Sequence, residues 1–479
     1  MSEPTKRRTS FTLDQAQPQD PGAAPISLRK RICGSQRLGY RSFGLPLALS
    51  LIALAFPAGP AASQQIATGI NRGAPSIRMA VTEFPPQSSD ANLARLTTEF
   101  NSVLWNDLDN AGIFELVSRS YYPLKVPTTP GDVVFDAWAN PPVSTQMLVF
   151  GKTEIINSNL VVTAYLYDVK NPSTPSVLAR RFVATLDEVS TRQAAHRFAN
   201  EIIQTLGGGI PGINLTQIAF VSNRSSHPEI EVMDYDGFNQ HPITSYGSLT
   251  LTPRWSPDNS KLAFTSYVSG NPEVMLYSLE THHLLYFPRY PGLNTTPAWS
   301  PDGKKLAFCS SMSGDPEIYV SSPDGSGLQR LTFSSAVNIS PVWNPKTGAE
   351  IAFVSDRSGT PQIYIMNSDG SNLRRLTTAG GDSSEPSWSP NGQFIAFNWR
   401  VTETGTYDVY VIEIATGQIV QLTHDAGRNE HPTWSPDGRH LVFESTRTGS
   451  RQIWMMLANG SNPKQLTTQG ENWNPNWSN

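Results

Sequence analysis

A tryptophan recurs through the last two-thirds of the chain at Trp255, Trp299, Trp343, Trp388, Trp434 and Trp477, in steps of 44, 44, 45, 46 and 43 residues. Each stands in a copy of one phrase, clearest as Pro297-Ala298-Trp299-Ser300-Pro301-Asp302-Gly303. A period of about 40–45 residues with one aromatic signature per unit is the sequence mark of a β-propeller blade.

The segments between the tryptophans support four short strands per unit. A short apolar strand follows each turn, as in Leu306-Ala307-Phe308 and Ile351-Ala352-Phe353. A polar turn, a β-rich segment such as Gln362-Ile363-Tyr364-Ile365-Met366, and an Asp-Gly or Asn-Gly turn come next. That last pair is strong hairpin chemistry. The unit closes on Leu-Thr, at Leu331-Thr332, Leu376-Thr377, Leu422-Thr423 and Leu466-Thr467. Ser-Pro-Asp-Gly is itself a tight turn: Pro presets φ, Asp bonds its own backbone and Gly accepts positive φ. The preceding Trp is large enough to fill the wedge between blades, and the small Ala of the next strand suits close approach near the ring axis.

The array begins at Ile218-Ala219-Phe220 with no Trp strand before it and ends at Pro475-Asn476-Trp477-Ser478. The last strand can therefore complete a blade whose other three strands come from residues 218–244. This predicts six blades closed by the C-terminal strand, with no open sheet edge.

Ahead of the array, residues 1–44 are basic and polar, 45–56 are apolar, and Ala58-Gly59-Pro60-Ala61-Ala62-Ser63 are small. That order is a secretory signal, with cleavage expected after Ser63. Residues 64–206 read as an α/β domain. A strand near Ile77, a helix capped by Asp90 with Leu93, Leu96, Phe100, Val103, Leu104 and Leu108 on one stripe, a second strand, three meandering strands and a last helix capped by Ser190 are expected. Residues 207–214 form a Gly-rich linker, and 215–479 the propeller. Gly207-Gly208-Gly209-Ile210-Pro211-Gly212 follows a helix and contains Pro, so it is a helix stop and not a dinucleotide fingerprint.

Composition excludes some classes. The first 63 residues hold 8 basic and 3 acidic residues; 36 minus 8 leaves 28 basic and 40 minus 3 leaves 37 acidic, a net charge of −9. An acidic chain is a poor partner for nucleic acid. Of Cys33 and Cys309 only Cys309 remains after the leader, and it reads as a small core residue. No nucleophile elbow, zinc-protease or P-loop pattern occurs. Asp302 and its equivalents recur once per blade in a turn, and turn stabilisation accounts for them. The segments just before each inner strand, Thr295-Thr296, Asn338-Ile339-Ser340, Ser384-Glu385 and Glu430-His431, read as loops at one mouth of the channel, either solvated or a docking surface.

An exported chain with this N-terminal domain and a six-bladed Trp-Ser-Pro-Asp-Gly propeller resembles the TolB family, the periplasmic component of Tol–Pal systems. Ala111-Gly112-Ile113-Phe114, Ala164-Tyr165-Leu166-Tyr167-Asp168-Val169, Met233-Asp234-Tyr235-Asp236-Gly237-Phe238-Asn239 and Leu251-Thr252-Pro253-Arg254-Trp255-Ser256-Pro257-Asp258 carry the likeness. The resemblance implies a non-enzymatic, monomeric periplasmic adaptor without cofactor or membrane span. It implies binding of the peptidoglycan-associated lipoprotein Pal over one propeller mouth, through Thr296, Ile339, Ser340, Glu385 and His431. It also implies engagement of the inner-membrane protein TolA through the mature N-terminus, including Gln64, Gln65, Ile66 and Ile70, in the service of envelope integrity and outer-membrane constriction at division. A propeller-associated hydrolase or peptidase, or a peptidoglycan-binding module, are the alternative functions.

Overall fold

The structure, a computed structural model, describes residues 76–424 and 426–479; the expected leader and Gln64, Gln65, Ile66 and Ile70 lie outside them. The N-terminal domain is built on a five-stranded sheet. Strand β1 (Ile77–Val81) lies between β2 (Phe114–Leu116) and β3 (Met147–Ile156), parallel to both. Strands β3, β4 (Asn159–Asp168) and β5 (Ser176–Ala184) then pair antiparallel as a meander. Helices α1 (Ala91–Asn110) and α3 (Glu188–Leu206) cover one face, and the short α2 (Phe135–Ala139) lies with its flanking loops on the other.

The α1 stripe expected from spacing is the buried face, and Asp90 caps the helix by accepting the Leu93 N–H at 2.8 Å. Each fully buried Leu or Phe there contributes roughly 1.5–3 kcal/mol. The cap of α3 differs from expectation. Asp187, not Ser190, is the N-cap and accepts the Ser190 N–H at 2.8 Å. Both residue types suit the position, and the three-residue offset is that of an N-cap to N3 bond.

The propeller has six four-stranded sheets. Five inner strands are Thr250–Trp255, Asn294–Trp299, Asn338–Trp343, Asp382–Trp388 and Asn429–Trp434. The sixth, Asn472–Trp477, pairs with Gln217–Ser222 of the first blade, so the C-terminal strand closes the ring. Each inner strand runs from a starting face, which also carries the turns between second and third strands, to a turn face made of the Ser-Pro-Asp-Gly turns.

Local chemistry explains the repeat. Ser300 Oγ donates to Asp302 Oδ1 at 2.6 Å and accepts the Lys305 N–H at 2.9 Å, while Gly303 adopts φ 67°. The Ser300 hydrogen bond and one from the Lys304 N–H at 3.1 Å hold the Asp302 carboxyl below its ordinary range. The extra residue in the third copy widens the turn, and Gly348 N–H reaches Asn344 O instead of the residue three back. The closing threonine is a clamp: Thr377 Oγ1 accepts the Ile363 N–H at 2.9 Å and donates to Gln362 at 2.8 Å.

All six repeat tryptophans are buried, 4–9% exposed. The small residue of the second strand does not serve the ring axis as expected. Ala263 shares a buried cluster with Trp299 of the next blade, Ala352 with Trp388 and Ala219 with Trp255. Its size makes room for the neighbouring indole. Three indole N–H groups also cross the blade boundary, Trp255 to Asn476 O, Trp299 to Arg254 O and Trp343 to Ala298 O. Cys309 is fully buried in a second strand, and burial pushes its thiol up to about 12.

Candidate functional site

The segments read as loops before the inner strands are parts of those strands, each containing a bulge. Pairing shifts register between Thr295 and Ala298, Ile339 and Val342, Ser384 and Ser387, and Glu430 and Thr433. In every blade one non-glycine residue at the bulge is left-handed: Thr252 (φ 51°), Thr296 (49°), Ser340 (52°), Glu385 (51°), His431 (52°) and Asn474 (49°). All six precede a proline. Proline has no N–H for a strand ladder and is tolerated at a bulge, so Pro two residues before each Trp was the sequence signal for this feature.

The left-handed turn points backbone N–H groups at the preceding blade. Thr296 N–H donates to Thr265 Oγ1 at 3.1 Å, Ser340 N–H to Thr296 Oγ1 at 3.2 Å, and Asn474 N–H to Glu444 Oε2 at 2.9 Å. Thr296 and Ser340 are thus joined to each other across a blade boundary. Ser340 is 4% exposed and its hydroxyl has no hydrogen-bond partner; Ile339 beside it is half-buried.

Glu385 and His431 have a different setting. They face a cavity of about 400 Å³ in the channel, walled by the six repeat tryptophans and bordered by Pro257, Pro301 and Pro345 of the turns. The cavity therefore lies toward the turn face, and Thr296, Ile339 and Ser340 do not line it. His431 Nδ1 is 3.2 Å from Glu444, and its Nε2 is 3.7 Å from Glu385. Burial works against the charged ring, but the charges of Glu444 and Glu385 outweigh it and raise the His431 pKa to about 9. The ring is a cation at neutral pH and so a charge partner, not a general base.

Sequence reading missed Arg254, which also lines the cavity. It occupies the wall position just before the repeat tryptophan, where the other blades carry Ala298, Val342, Ser387, Thr433 and Asn476. Among the described residues, no three or more His, Cys, Asp or Glu side chains are grouped to hold a metal ion.

The two domains meet on the turn face, at the first and last blades. Asp107 of α1 is buried, accepts the Tyr235 hydroxyl and pairs with His196 of α3 at 2.8 Å. Arg192 of α3 pairs with Asp236 and lies 4.1 Å from the Phe238 ring centroid. His440 Nε2 approaches Asn110 O at 2.7 Å. Among the described residues, none of these contacts reaches the starting face.

On that face large apolar side chains are exposed: Tyr286 (77%), Phe333 (75%), Val401 (50%), Val268 (45%) and Val337 (40%). They stand in loops after outer strands or in turns between second and third strands, from three blades.

Known proteins resemble the chain in both halves. The family described as "TolB beta propeller domain" matches residues 205–402 and 398–479, and "TolB amino-terminal domain" matches 68–174. A Tol-Pal system protein TolB of Syntrophotalea carbinolica is 32% identical over 193 residues, which is 40% of this chain and 43% of that protein. Another from Blochmanniella pennsylvanica is 29% identical over 202 residues, 41% of this chain and 43% of that protein. The matched region thus spans less than half the length of these curated relatives. The crystal structure of TolB from Acinetobacter baumannii matches with a TM-score of 0.72 at 26% identity, covering 85% of this chain and 97% of that one. With propeller and N-terminal domain both matched, and the two built as described, the chain belongs to the TolB family.

Proposed function

We propose that the chain is a non-enzymatic periplasmic adaptor of a Tol–Pal system that docks the lipoprotein Pal on the starting face of its propeller. The observation that carries this reading is the exposed apolar set on that face, Tyr286, Phe333, Val337, Val268 and Val401, left clear by the N-terminal domain. The five side chains share one face of the ring, on its second, third and fifth blades, where a docked protein would cover them. Aromatic anchors such as Phe333 and Tyr286 are the residue type that dominates binding energy. Thr296, Ile339 and Ser340, at the inner-strand bulges, belong to the same docking region, whereas Glu385 and His431 face the turn-side cavity instead. The segment 64–76, with Gln64, Gln65, Ile66 and Ile70, is the part that engages TolA. Through both partners the protein supports envelope integrity and outer-membrane constriction at division.

The test is calorimetric titration of the purified chain with a soluble Pal domain. Saturable binding that weakens at least about tenfold in Phe333→Asp and in Ile339→Trp, and is unchanged in Lys304→Glu on the turn face, supports the reading. Binding indifferent to Phe333→Asp and Ile339→Trp, with each variant folded, refutes the site.

A further inference from the structure

We propose that Arg254 makes the turn-side cavity of the channel a binding site for a carboxylate, held on the guanidinium between tryptophan and proline walls. The argument starts from what Arg254 lacks. A guanidinium has five N–H donors. The Arg254 guanidinium makes one hydrogen bond, to its own neighbour Pro253 O at 2.9 Å, and no described carboxylate lies within 4.0 Å of it. Burial works against its charge, with Glu385 the one group opposing that effect. A part-desolvated cation without a counter-ion is costly, and an anion delivered to it recovers that cost.

The other charges of the channel do not fill this role. Glu385 and Glu444 flank the protonated His431 at 3.7 and 3.2 Å, and Glu444 also accepts the Asn474 N–H. The repeat does not require the arginine either, because the same wall position is neutral in the other five blades. At about 400 Å³ the cavity has the size of a small-ligand site, and its walls combine tryptophan and proline rings with polar groups in at least equal measure. The planar fork of arginine matches the two oxygens of a carboxylate. The cavity lies toward the end of the channel opposite the face proposed for Pal, so the inference does not rest on that docking. The carboxylate is that of a small carboxylic acid, the size of ligand that a cavity of about 400 Å³ takes.

The experiment titrates the purified full chain with N-acetyl-L-phenylalanine and, in parallel, with its neutral amide, read by calorimetry and by the fluorescence of the wall tryptophans. The acid is expected to bind saturably, more weakly as salt rises, with the amide at least about tenfold weaker. Arg254→Met, with an unchanged melting temperature, is expected to lose the acid by a similar factor, and Arg254→Lys to retain part of it. Equal binding of acid and amide overturns the proposal by the wild type alone, even if the Met variant fails to fold. Failure of the acid to bind the wild type, with the chain shown folded, also overturns the site.

Discussion

His196 Nδ1 stands 2.8 Å from the Asp107 carboxylate at the seam between the two domains. The same ring presents Nε2 to Asp236 of the propeller at 3.8 Å, so one imidazole on α3 is held between carboxylates from both domains. Arg192, pairing with Asp236 and Glu99, and the Tyr235 hydroxyl complete the cluster. Burial opposes the charged ring, but the hydrogen bond and charge of Asp107, joined by Asp236, raise the His196 pKa above 6.5. Burial in turn pushes the Asp107 carboxyl up, against the pull of His196 and Tyr235. The short contact favours the ion pair with its proton on the ring.

His196→Ala is expected to destabilise the protein by about 3–5 kcal/mol, because it strands Asp107 in the seam. A raised histidine pKa stabilises fully below the unfolded value near 6.5 and loses that contribution as pH rises through the folded value. The gap in melting temperature between wild type and His196→Ala should be widest below pH 6.5 and narrow as pH rises through the raised folded value. A gap independent of pH would show that the pair carries no proton-linked stability.

The repeat tryptophans are not equivalent. Trp343 Nε1 donates to Ala298 O of the preceding blade at 3.1 Å, whereas Trp388 Nε1 donates to Gly392 O in its own turn. Removing either indole by Ala should cost about 3–5 kcal/mol, measured by denaturant unfolding. Phe in their place keeps most of the packing and loses the donor. Trp343→Phe should then lose a blade-to-blade bond and cost about 1 kcal/mol more than the indole's lost packing area alone predicts. Equal behaviour of Trp343→Phe and Trp388→Phe would remove that distinction.

Ser340 tests the strained ring. Its φ is 52° and its buried hydroxyl lacks a partner. Ser340→Gly relieves a left-handed non-glycine residue and an unpaired polar group together, so a gain of about 0.5–1 kcal/mol is expected. Ser340→Ala removes the hydroxyl and keeps the strain, and should gain less. Differential scanning calorimetry of the two variants separates the effects, and destabilisation by Gly would show that the left-handed backbone is not strained.

His431 should titrate near its raised value. With a pKa of about 9 it stays protonated at pH 7.5, and its ring resonances are expected to shift only as pH approaches 9. Glu444→Gln removes the largest of the three carboxylate charges that raise it and should bring the titration down toward 6.5. Its contribution to stability is complete below the unfolded value and disappears as pH passes 9. An imidazole titrating near 6.5 in the wild type would contradict the paired arrangement.

The Trp-Ser-Pro-Asp-Gly phrase, the Asp-Gly turns and the α1 stripe are local statements, fixed by φ preferences and by side-chain periodicity over a few residues. They were enough to fix six blades, their closure by the C-terminal strand and the packing of α1. The TolB resemblance was legible for the same reason, since it rests on short phrases. What escaped depends on which strand lies beside which. Arg254 looked like one more residue before a tryptophan until ring closure turned it into a cavity without a carboxylate beside it. Glu444 sits in an ordinary second strand; the bulge of its own inner strand brings His431 to it, and the bulge in the neighbouring blade brings the Asn474 N–H. His196 and Asp107 are 89 residues apart, and Asp236 lies on another domain. Burial and charge pairing at such separations follow from packing, which no stretch of sequence encodes alone.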